Sequence, residues 1–427
     1  MNRESSYEGK PALEYSSSPN QFKLSNEWMR RGELCEAWSA TRSEIRREDR
    51  FIEGAYPIYA SHASGAYLWD VDGHRYVDYI LGYGTVILGH ADSRVTNAVV
   101  QELEKGVCLS PLWRPLQVEL AELLTAVIPG AEMAYLMRTG SDATSGALRL
   151  ARIYTGRNKV VRWGYNGWHD WTATRTEGVP ASARSETLTF NYNDTASLGA
   201  AFAAYPDQIA CVIMMPFELD PPISGFLQEV RDIAHENGAL FILDEMRSGF
   251  RMSLGGAQQY FNVKADLATF SKAMSNGYPI SAVVGREDVL RCVGRTHIAS
   301  TFYANSAEMA AAVATISILR DSDAIKKIWE MGEIFCRGLG TLIVEYGVPA
   351  QVVGYPPCPF LKFTSSDEDE RQADMTAFYA ETTKQGVLFH PNHHWFISAA
   401  HTTEDIVLTL EVCRRGFEAM GLATRGR

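Results

Sequence analysis

Two residues that could do chemistry together stand at the ends of two apolar runs. Asp244 ends the run ALFILD, and Lys272 lies 28 residues later, just past the run DLATF. Because ligand chemistry in an open α/β sheet takes place at the carboxyl ends of strands, we expect both side chains at one edge. Pyridoxal phosphate (PLP) requires an amine that forms a Schiff base and an acid that pairs with its pyridine nitrogen. The pair therefore predicts a PLP site.

A glycine and a serine after another apolar run could bind the phosphate. Gly140 and Ser141 follow the run AYLM and open a predicted helix. Backbone N–H groups at a helix start form an anion site. An ordinary helix cap is the alternative, since Ser and Asp are favoured there. Tyr165, in the loop GYNGWHDW, could stack on a flat ring, or it could simply be a packed aromatic.

The elements that must position these residues alternate along the chain. Apolar runs at 134–137, 159–163, 210–215, 239–243, 266–270 and 281–285 read as strands, and helical stretches lie between several of them. This order predicts a mainly parallel sheet covered on both faces. Beyond about residue 310 a helix-rich region is followed by four short predicted strands (QVVG, FLKF, GVLF and WFIS) and a final helix from about Thr403.

Four regions follow from this pattern. They are a flexible tail (1–20), an N-terminal segment with a helix and a hairpin (21–80), a large domain (81–310) and a smaller C-terminal α/β domain (311–427). The hairpin is predicted because two aromatic-rich runs flank Asp72-Gly73, a strong turn dipeptide.

Composition narrows the classes of partner. A net charge of −11 argues against nucleic acid, and no apolar run long enough to span a membrane is present. The seven cysteines are scattered without a CxxC pair, as expected of reduced thiols in a cytoplasmic protein. No secretory signal and no metal site are expected.

Eight motifs, from about Phe51 to the C-terminus, resemble those of class III PLP-dependent aminotransferases, which have fold type I. They are DVDGHRYVDY, LGHADSRV, TGSDAT, RLARIYTGR, GYNGWHDW, LDEMRSGFR, SKAMSNGYP and SAAHTTEDI. The glutamate-1-semialdehyde aminomutase-like branch is the most similar. The resemblance implies a large domain with a mostly parallel seven-stranded sheet and a smaller C-terminal α/β domain.

The resemblance also implies roles for the cofactor-site residues. Lys272 forms the Schiff base and shuttles the proton, and Asp244 pairs with the pyridine nitrogen. The remaining cofactor contacts implied by the family are Gly140 and Ser141 on the phosphate, Tyr165 and Met246 on the two ring faces, and Thr301 on the phosphate of the neighbouring subunit. The last contact implies a homodimer with shared active sites.

On the substrate side the chain departs from the family. Met215 replaces the glutamate of a Met-Glu-Pro motif, with Glu218 as a candidate substitute, and His393, beside His394, occupies the place of an aminomutase glutamate. The histidine removes a fixed negative charge and can become cationic. Tyr83 matches a substrate-side aromatic.

The aminomutase's Ser-Pro-Val-Arg segment, which binds the substrate carboxylate, is absent. Arg46, Arg47 and Arg50 are nearby without a clean match. The histidine of the family's Tyr-His-Gly motif is Asn166.

These departures favour an aminotransferase. A donor amino acid such as glutamate would convert PLP to pyridoxamine phosphate, and a keto or aldehyde acceptor would then receive the amino group. The expected setting is specialised-metabolite or amino-sugar biosynthesis. An aminomutase or amino-acid racemase is the alternative. A non-catalytic PLP-fold protein is a remote one, because Lys272 and Asp244 are retained.

Overall fold

The structure, a computed structural model, describes residues 22–39, 52 and 54–425. The predicted tail and Arg46, Arg47 and Arg50 lie outside the described residues. Among the described helices, none is both long and apolar enough to cross a membrane.

The strands are β1 (Ala60–Ser64), β2 (Tyr67–Asp70), β3 (Arg75–Asp78), β4 (Met133–Met137), β5 (Lys159–Trp163), β6 (Thr187–Thr189), β7 (Ile209–Met214), β8 (Leu240–Asp244), β9 (Leu267–Phe270), β10 (Ser281–Gly285), β11 (Ala350–Tyr355), β12 (Cys358–Phe363) and β13 (Val387–Leu388). The α-helices are α1 (Lys23–Gly32), α2 (Leu81–Gly84), α3 (Ser93–Leu103), α4 (Pro115–Val127), α5 (Gly140–Thr155), α6 (Ala181–Arg184), α7 (Thr195–Ala204), α8 (Phe226–Glu236), α9 (Gly256–Tyr260), α10 (Glu287–Leu290), α11 (Ser306–Asp321), α12 (Ala324–Tyr346), α13 (Glu368–Lys384) and α14 (Thr403–Arg425). Short 3₁₀ helices lie at Asp170–Thr172, Lys272–Ser275, Arg291–Arg295 and Thr301–Ala304.

The central sheet has seven strands in the order β4-β10-β9-β8-β7-β5-β6. All neighbours are parallel except β10, which is antiparallel to both β4 and β9. Every residue of β7 and β8 is buried, as expected of parallel strands covered on both faces. The mostly parallel seven-stranded sheet is therefore confirmed. The sequence analysis missed β6, whose three residues leave almost no periodic signal.

The N-terminal hairpin is confirmed, with β2 antiparallel to β3 around Asp72 and Gly73, whose φ is +94°. It belongs to a sheet ordered β1-β2-β3-β13, in which β13 from the C-terminal region runs parallel to β3. The hairpin and the C-terminal region therefore share a sheet. The division into four regions stays a prediction, and this shared sheet links the second region to the fourth.

The predicted strand WFIS is wrong. Trp395 and Ile397 donate their backbone N–H groups to the carbonyls of Pro359 and Pro357, at 2.9 and 3.1 Å. Phe396, between them, donates in the other direction, to the carbonyl of Tyr79 at 2.8 Å. The segment lies between two different chain segments and forms isolated bonds to each, so no ladder develops.

Arg251 holds the loop after β8 against the C-terminal region. Its side chain is fully buried and donates from Nη1 to the carbonyls of Pro357 and Ile397, at 3.3 and 2.8 Å. Nη2 donates to the carbonyl of Gly84 at 2.8 Å. One buried cation thus satisfies three backbone acceptors from three segments that flank the sheet edge where Asp244 lies.

We expect Arg251→Gln to lower the free energy of unfolding by about 3 kcal/mol or more, because buried carbonyls lose charge-assisted donors. Denaturant unfolding measures the loss. Arg320→Gln, in an exposed pair with Asp321, is the control and should change stability by no more than about 0.5 kcal/mol. Equal stabilities of the two variants would contradict the role of Arg251.

Candidate active site

The sheet brings Asp244 and Lys272 to the same edge. Strands β8 and β9 are parallel, and Asp244 is paired with Thr269. Lys272 follows Thr269 by three residues and begins a 3₁₀ helix with a φ of +46°. This left-handed conformation is uncommon for a residue other than glycine and is found where the surrounding structure imposes it, often at functional sites.

Asp244 is a buried carboxylate, with only 1% of its surface exposed. Its Oδ2 accepts a hydrogen bond from Asn166 Nδ2 at 2.9 Å, and its Oδ1 accepts one from the backbone N–H of Met246 at 3.1 Å. Burial raises the pKa of Asp244, whereas these hydrogen bonds, Lys272 and Arg247 oppose the rise. Among the described residues no side-chain cation is in ion-pair contact with it, so a protonated pyridine nitrogen would supply the missing partner.

Lys272 has the opposite response to burial. Desolvation, and then the positive charge of Arg247, lower its pKa to about 8, while Asp244 opposes the change. An amine with a pKa near neutrality is partly uncharged at physiological pH. It can therefore act both as a nucleophile and as a base.

The start of α5 has the features of a phosphate site. Thr139 caps the helix in a reciprocal capping box with Asp142, so the cap does not use Ser141. A Cβ on Gly140 would lie 2.8 Å from Met246 Sδ, and one on Gly167 would lie 2.6 Å from Ser141 Oγ. Neither place has room for a larger residue. The backbone N–H groups of the first turn and the Ser141 hydroxyl can thus bind a phosphate at close range.

The remaining predicted cofactor contacts lie at different depths. Met246 is partly buried and reaches the start of α5, as its approach to Gly140 shows. Tyr165 lies in the loop after β5 with 58% of its surface exposed. Thr301, at the start of its 3₁₀ helix, is also exposed. Within this chain, therefore, Met246 is part of the buried site, whereas Tyr165 and Thr301 face outward.

The predicted substrate-side residues form an aromatic and basic wall. The rings of Tyr83 and His393 meet edge to face at 5.1 Å, and Tyr83 also lies 5.6 Å from His390. His394 Nε2 lies 2.7 Å from Arg247 Nη1. Glu218, by contrast, is exposed.

The expectation that His393 can become cationic is wrong. Burial, and then the positive charge of Arg247, lower the pKa of His393 to about 3. Removal of the aminomutase glutamate therefore leaves a neutral group at this place. The fixed positive charge of the wall belongs to Arg247.

Sequence reasoning missed two site residues. Asn166 was noted only as a departure from the family, although it bonds to Asp244 directly. Arg247 was overlooked, although a charged residue three positions after Asp244 in a strand-end loop was a usable signal. The link from Arg247 to His394 spans 147 residues and has no local signature.

Comparison with known proteins agrees with this geometry. Residues 52–423 match the family model described as aminotransferase class-III. The chain belongs to this family.

Its relatives include two catalytic types. The chain is 39% identical over 378 residues to a 3-aminobutyryl-CoA aminotransferase of Cloacimonas acidaminovorans, covering 87% of this chain and 91% of the relative. It is 35% identical over 395 residues to a glutamate-1-semialdehyde 2,1-aminomutase of Hyperthermus butylicus, covering 86% and 92%. Among solved structures, the PLP form of the FumI protein of Sphingopyxis sp. MTA144 has a TM-score of 0.89 at 29% identity, covering 94% of this chain and 98% of that one.

These comparisons confirm the fold, the cofactor and the class of reaction. The protein is a PLP-dependent aminotransferase that acts on a small-molecule amino donor and acceptor. PLP supplies an electron sink for the negative charge that forms on the substrate carbon. Three features fit this cofactor: a buried acid with no ion-pair partner among the described residues, a lysine of lowered pKa, and a glycine at a helix start.

We expect Lys272 in the PLP-free protein to be acetylated with a midpoint near pH 8. Below that pH its amine is protonated and unreactive, and the rate rises as pH passes through the midpoint. Competitive acetylation followed by peptide mass spectrometry measures it. A midpoint near pH 10.4, the value of an ordinary lysine, would contradict the described environment.

Proposed function

We propose that the enzyme transfers an amino group in two separate half-reactions, from an amino-acid donor to a keto or aldehyde acceptor. The observation that supports this most is the wall formed by Tyr83, His393, His394 and Arg247. Arg247 gives it a fixed positive charge, and neutral His393 stands where the aminomutase pattern has an acid. Such a wall favours release and entry of anionic keto and amino acids over retention of a diamino intermediate.

The chemistry we assign to the chain rests on two residues. Asp244 holds the ring nitrogen protonated, because a buried carboxylate is stabilised by an adjacent cation. Lys272, once uncharged, would serve as the base that removes the proton from the substrate carbon. Asn166 orients Asp244 through its 2.9 Å hydrogen bond.

The other assigned residues bind rather than react. Gly140 and Ser141 would hold the phosphate at the start of α5, and Met246 would lie against one face of the ring; Tyr165, exposed within this chain, is the residue that the family resemblance assigns to the other face. Tyr83 and His393 would border the substrate. Glu218 is exposed, and its negative charge acts on Arg247.

Donor-alone experiments test this function. With glutamate, alanine or 3-aminobutanoate as donor, we expect one equivalent of keto product per active site, a pyridoxamine phosphate spectrum, and ping-pong kinetics when an acceptor is added. Mass analysis identifies the released product. The 35% identity to an aminomutase makes isomerisation the second candidate. Formation of an isomer from the donor, with neither keto product nor a changed spectrum, would favour that candidate instead.

We also infer a homodimer in which Thr301 of each chain completes the other's phosphate site. Supporting this, Thr301 is exposed beside Phe302, which is 57% exposed, and Trp168 is 72% exposed. Large exposed apolar side chains can mark an interaction surface.

Thr301→Ala should weaken PLP binding about tenfold, because a hydrogen bond to a charged phosphate is lost. Equilibrium titration of the PLP-free protein measures the affinity. Thr341→Ala, which removes an exposed hydroxyl bonded within its own helix, is the control. A monomer in sedimentation that keeps full PLP occupancy would contradict the shared site.

The location we propose is the cytoplasm. All seven cysteines are free, and four of them are buried as thiols. Free thiols are typical of a reducing compartment. Cell fractionation that recovers the native protein outside the cytoplasm would contradict the proposal.

A further inference from the structure

We infer that Arg247, positioned by His394, binds the carboxylate of the amino acid and keto acid that exchange the amino group. The inference rests on the proposed function and names the chemical class of one of its substrates. It also supplies a carboxylate-binding arginine from the loop after β8, in a chain that has no Ser-Pro-Val-Arg segment.

Arg247 lies close to the reacting groups. It is three residues past Asp244 in the loop that leaves β8. Its positive charge is the largest influence after burial on the pKa of Lys272, and it also acts on Asp244. The charge of Arg247 therefore acts within the same buried site as Lys272 and Asp244.

The hydrogen bonds around His394 fix its tautomer. The guanidinium of Arg247 can only donate, so His394 Nε2 accepts at 2.7 Å. The other ring nitrogen, Nδ1, lies 3.2 Å from the carbonyl oxygen of Cys358 and must donate to it. Both nitrogens of His394 are thus used by the protein. Its place in the site is to orient Arg247, and it has no nitrogen left for a substrate.

One edge of the Arg247 guanidinium remains without a partner. Within the described part of the chain, the buried Nε–H donates to no protein acceptor, and neither an ion pair nor a hydrogen bond engages Nη2. Nε and Nη2 form the side of the fork that pairs with a carboxylate through two parallel hydrogen bonds.

Arg251, four residues further on, provides the contrast. Its Nη1 and Nη2 groups donate to three carbonyl oxygens, so this arginine stabilises the fold. Among the described residues the Nε of each arginine lacks a partner, so the contrast lies in Nη2, which in Arg251 donates to a carbonyl and in Arg247 donates to none.

The surroundings leave the charge of Arg247 largely uncompensated. His393 and His394 are neutral because burial and Arg247 itself lower their pKa values. Two carboxylates act on Arg247: Glu218, which is exposed and therefore screened by water, and buried Asp244, which in the proposed function is paired with the cofactor ring. Since burial also lowers the pKa of Arg247, an anionic substrate would relieve the cost of keeping it charged.

Butanoate and butanamide test this assignment without turnover, because neither has an amino group. Calorimetric titration of the PLP-loaded enzyme should show binding of butanoate but much weaker binding of butanamide. Arg247→Gln should weaken butanoate binding by about 10- to 100-fold, the size expected for a charge-assisted pair, and leave butanamide unchanged. Arg247→Lys, which keeps the charge but not the fork, should fall between. Unchanged butanoate affinity in Arg247→Gln, or an equal loss for both ligands, would overturn the inference.

Steady-state kinetics add a second readout. With glutamate or 3-aminobutanoate, Arg247→Gln should raise KM far more than it lowers kcat, whereas 3-aminobutanamide should show no such change. His394→Gln can still accept from Arg247 and should keep most of the affinity for butanoate, while His394→Leu should lose it. Arg320→Gln is the control, and thermal midpoints verify folding.

The two hypotheses fail differently. If the wild-type enzyme forms no keto product from any donor but Arg247 still determines butanoate binding, the proposed function fails and the anion site stands. If the wild-type enzyme transaminates and Arg247→Gln changes the affinities for butanoate and butanamide equally, only the anion-site hypothesis fails.

Discussion

The site depends on the burial of one carboxylate. Moving an ion such as Asp244 out of water costs several kcal/mol, and here two hydrogen bonds offset only part of that cost. The part of the cost that the hydrogen bonds do not offset raises the pKa of Asp244. A cation that arrives beside it is therefore bound strongly, and the pyridine nitrogen of PLP can become that cation. Lys272 shows the reverse effect, since the same burial makes its amine easier to deprotonate. One dry sheet edge thus sets both protonation states that transamination needs.

The loop from Asp244 to Arg251 converts this local chemistry into a rigid site. Glu245 accepts hydrogen bonds from the backbone N–H groups of Ala257 and Gln258, both at 2.9 Å, which fixes the start of the loop. Arg251 fixes its end through three carbonyls. Met246 and Arg247 lie between these two fixed points, so the ring contact and the proposed carboxylate site are held in advance of binding. Such preorganisation reduces the entropy lost when reactants are positioned.

The sequence predicts the parts of this arrangement that follow from strand ends. Asp244 and Lys272 converge because parallel neighbours terminate at the same edge, and Gly140 lies at a helix start because strand, glycine and helix follow one another. The wall could not be predicted in the same way. The Arg247–His394 contact joins distant segments, and the neutral state of His393 arises from burial, which no local pattern records. The segment WFIS has the composition of a strand. Its backbone N–H groups donate alternately to two different segments, so no continuous β-ladder forms.

Replacement of the buried acid tests this account most directly. Asp244→Asn keeps the shape of the side chain but cannot hold the ring nitrogen protonated. We predict that the variant binds PLP and that the rate of its donor half-reaction, measured in a single turnover, falls by about 100- to 1,000-fold, equivalent to two or three pKa units of lost stabilisation. Asp321→Asn, on the exposed end of α11, is the matched control. A rate within a few-fold of wild type in Asp244→Asn would contradict the claim that its buried charge controls the chemistry.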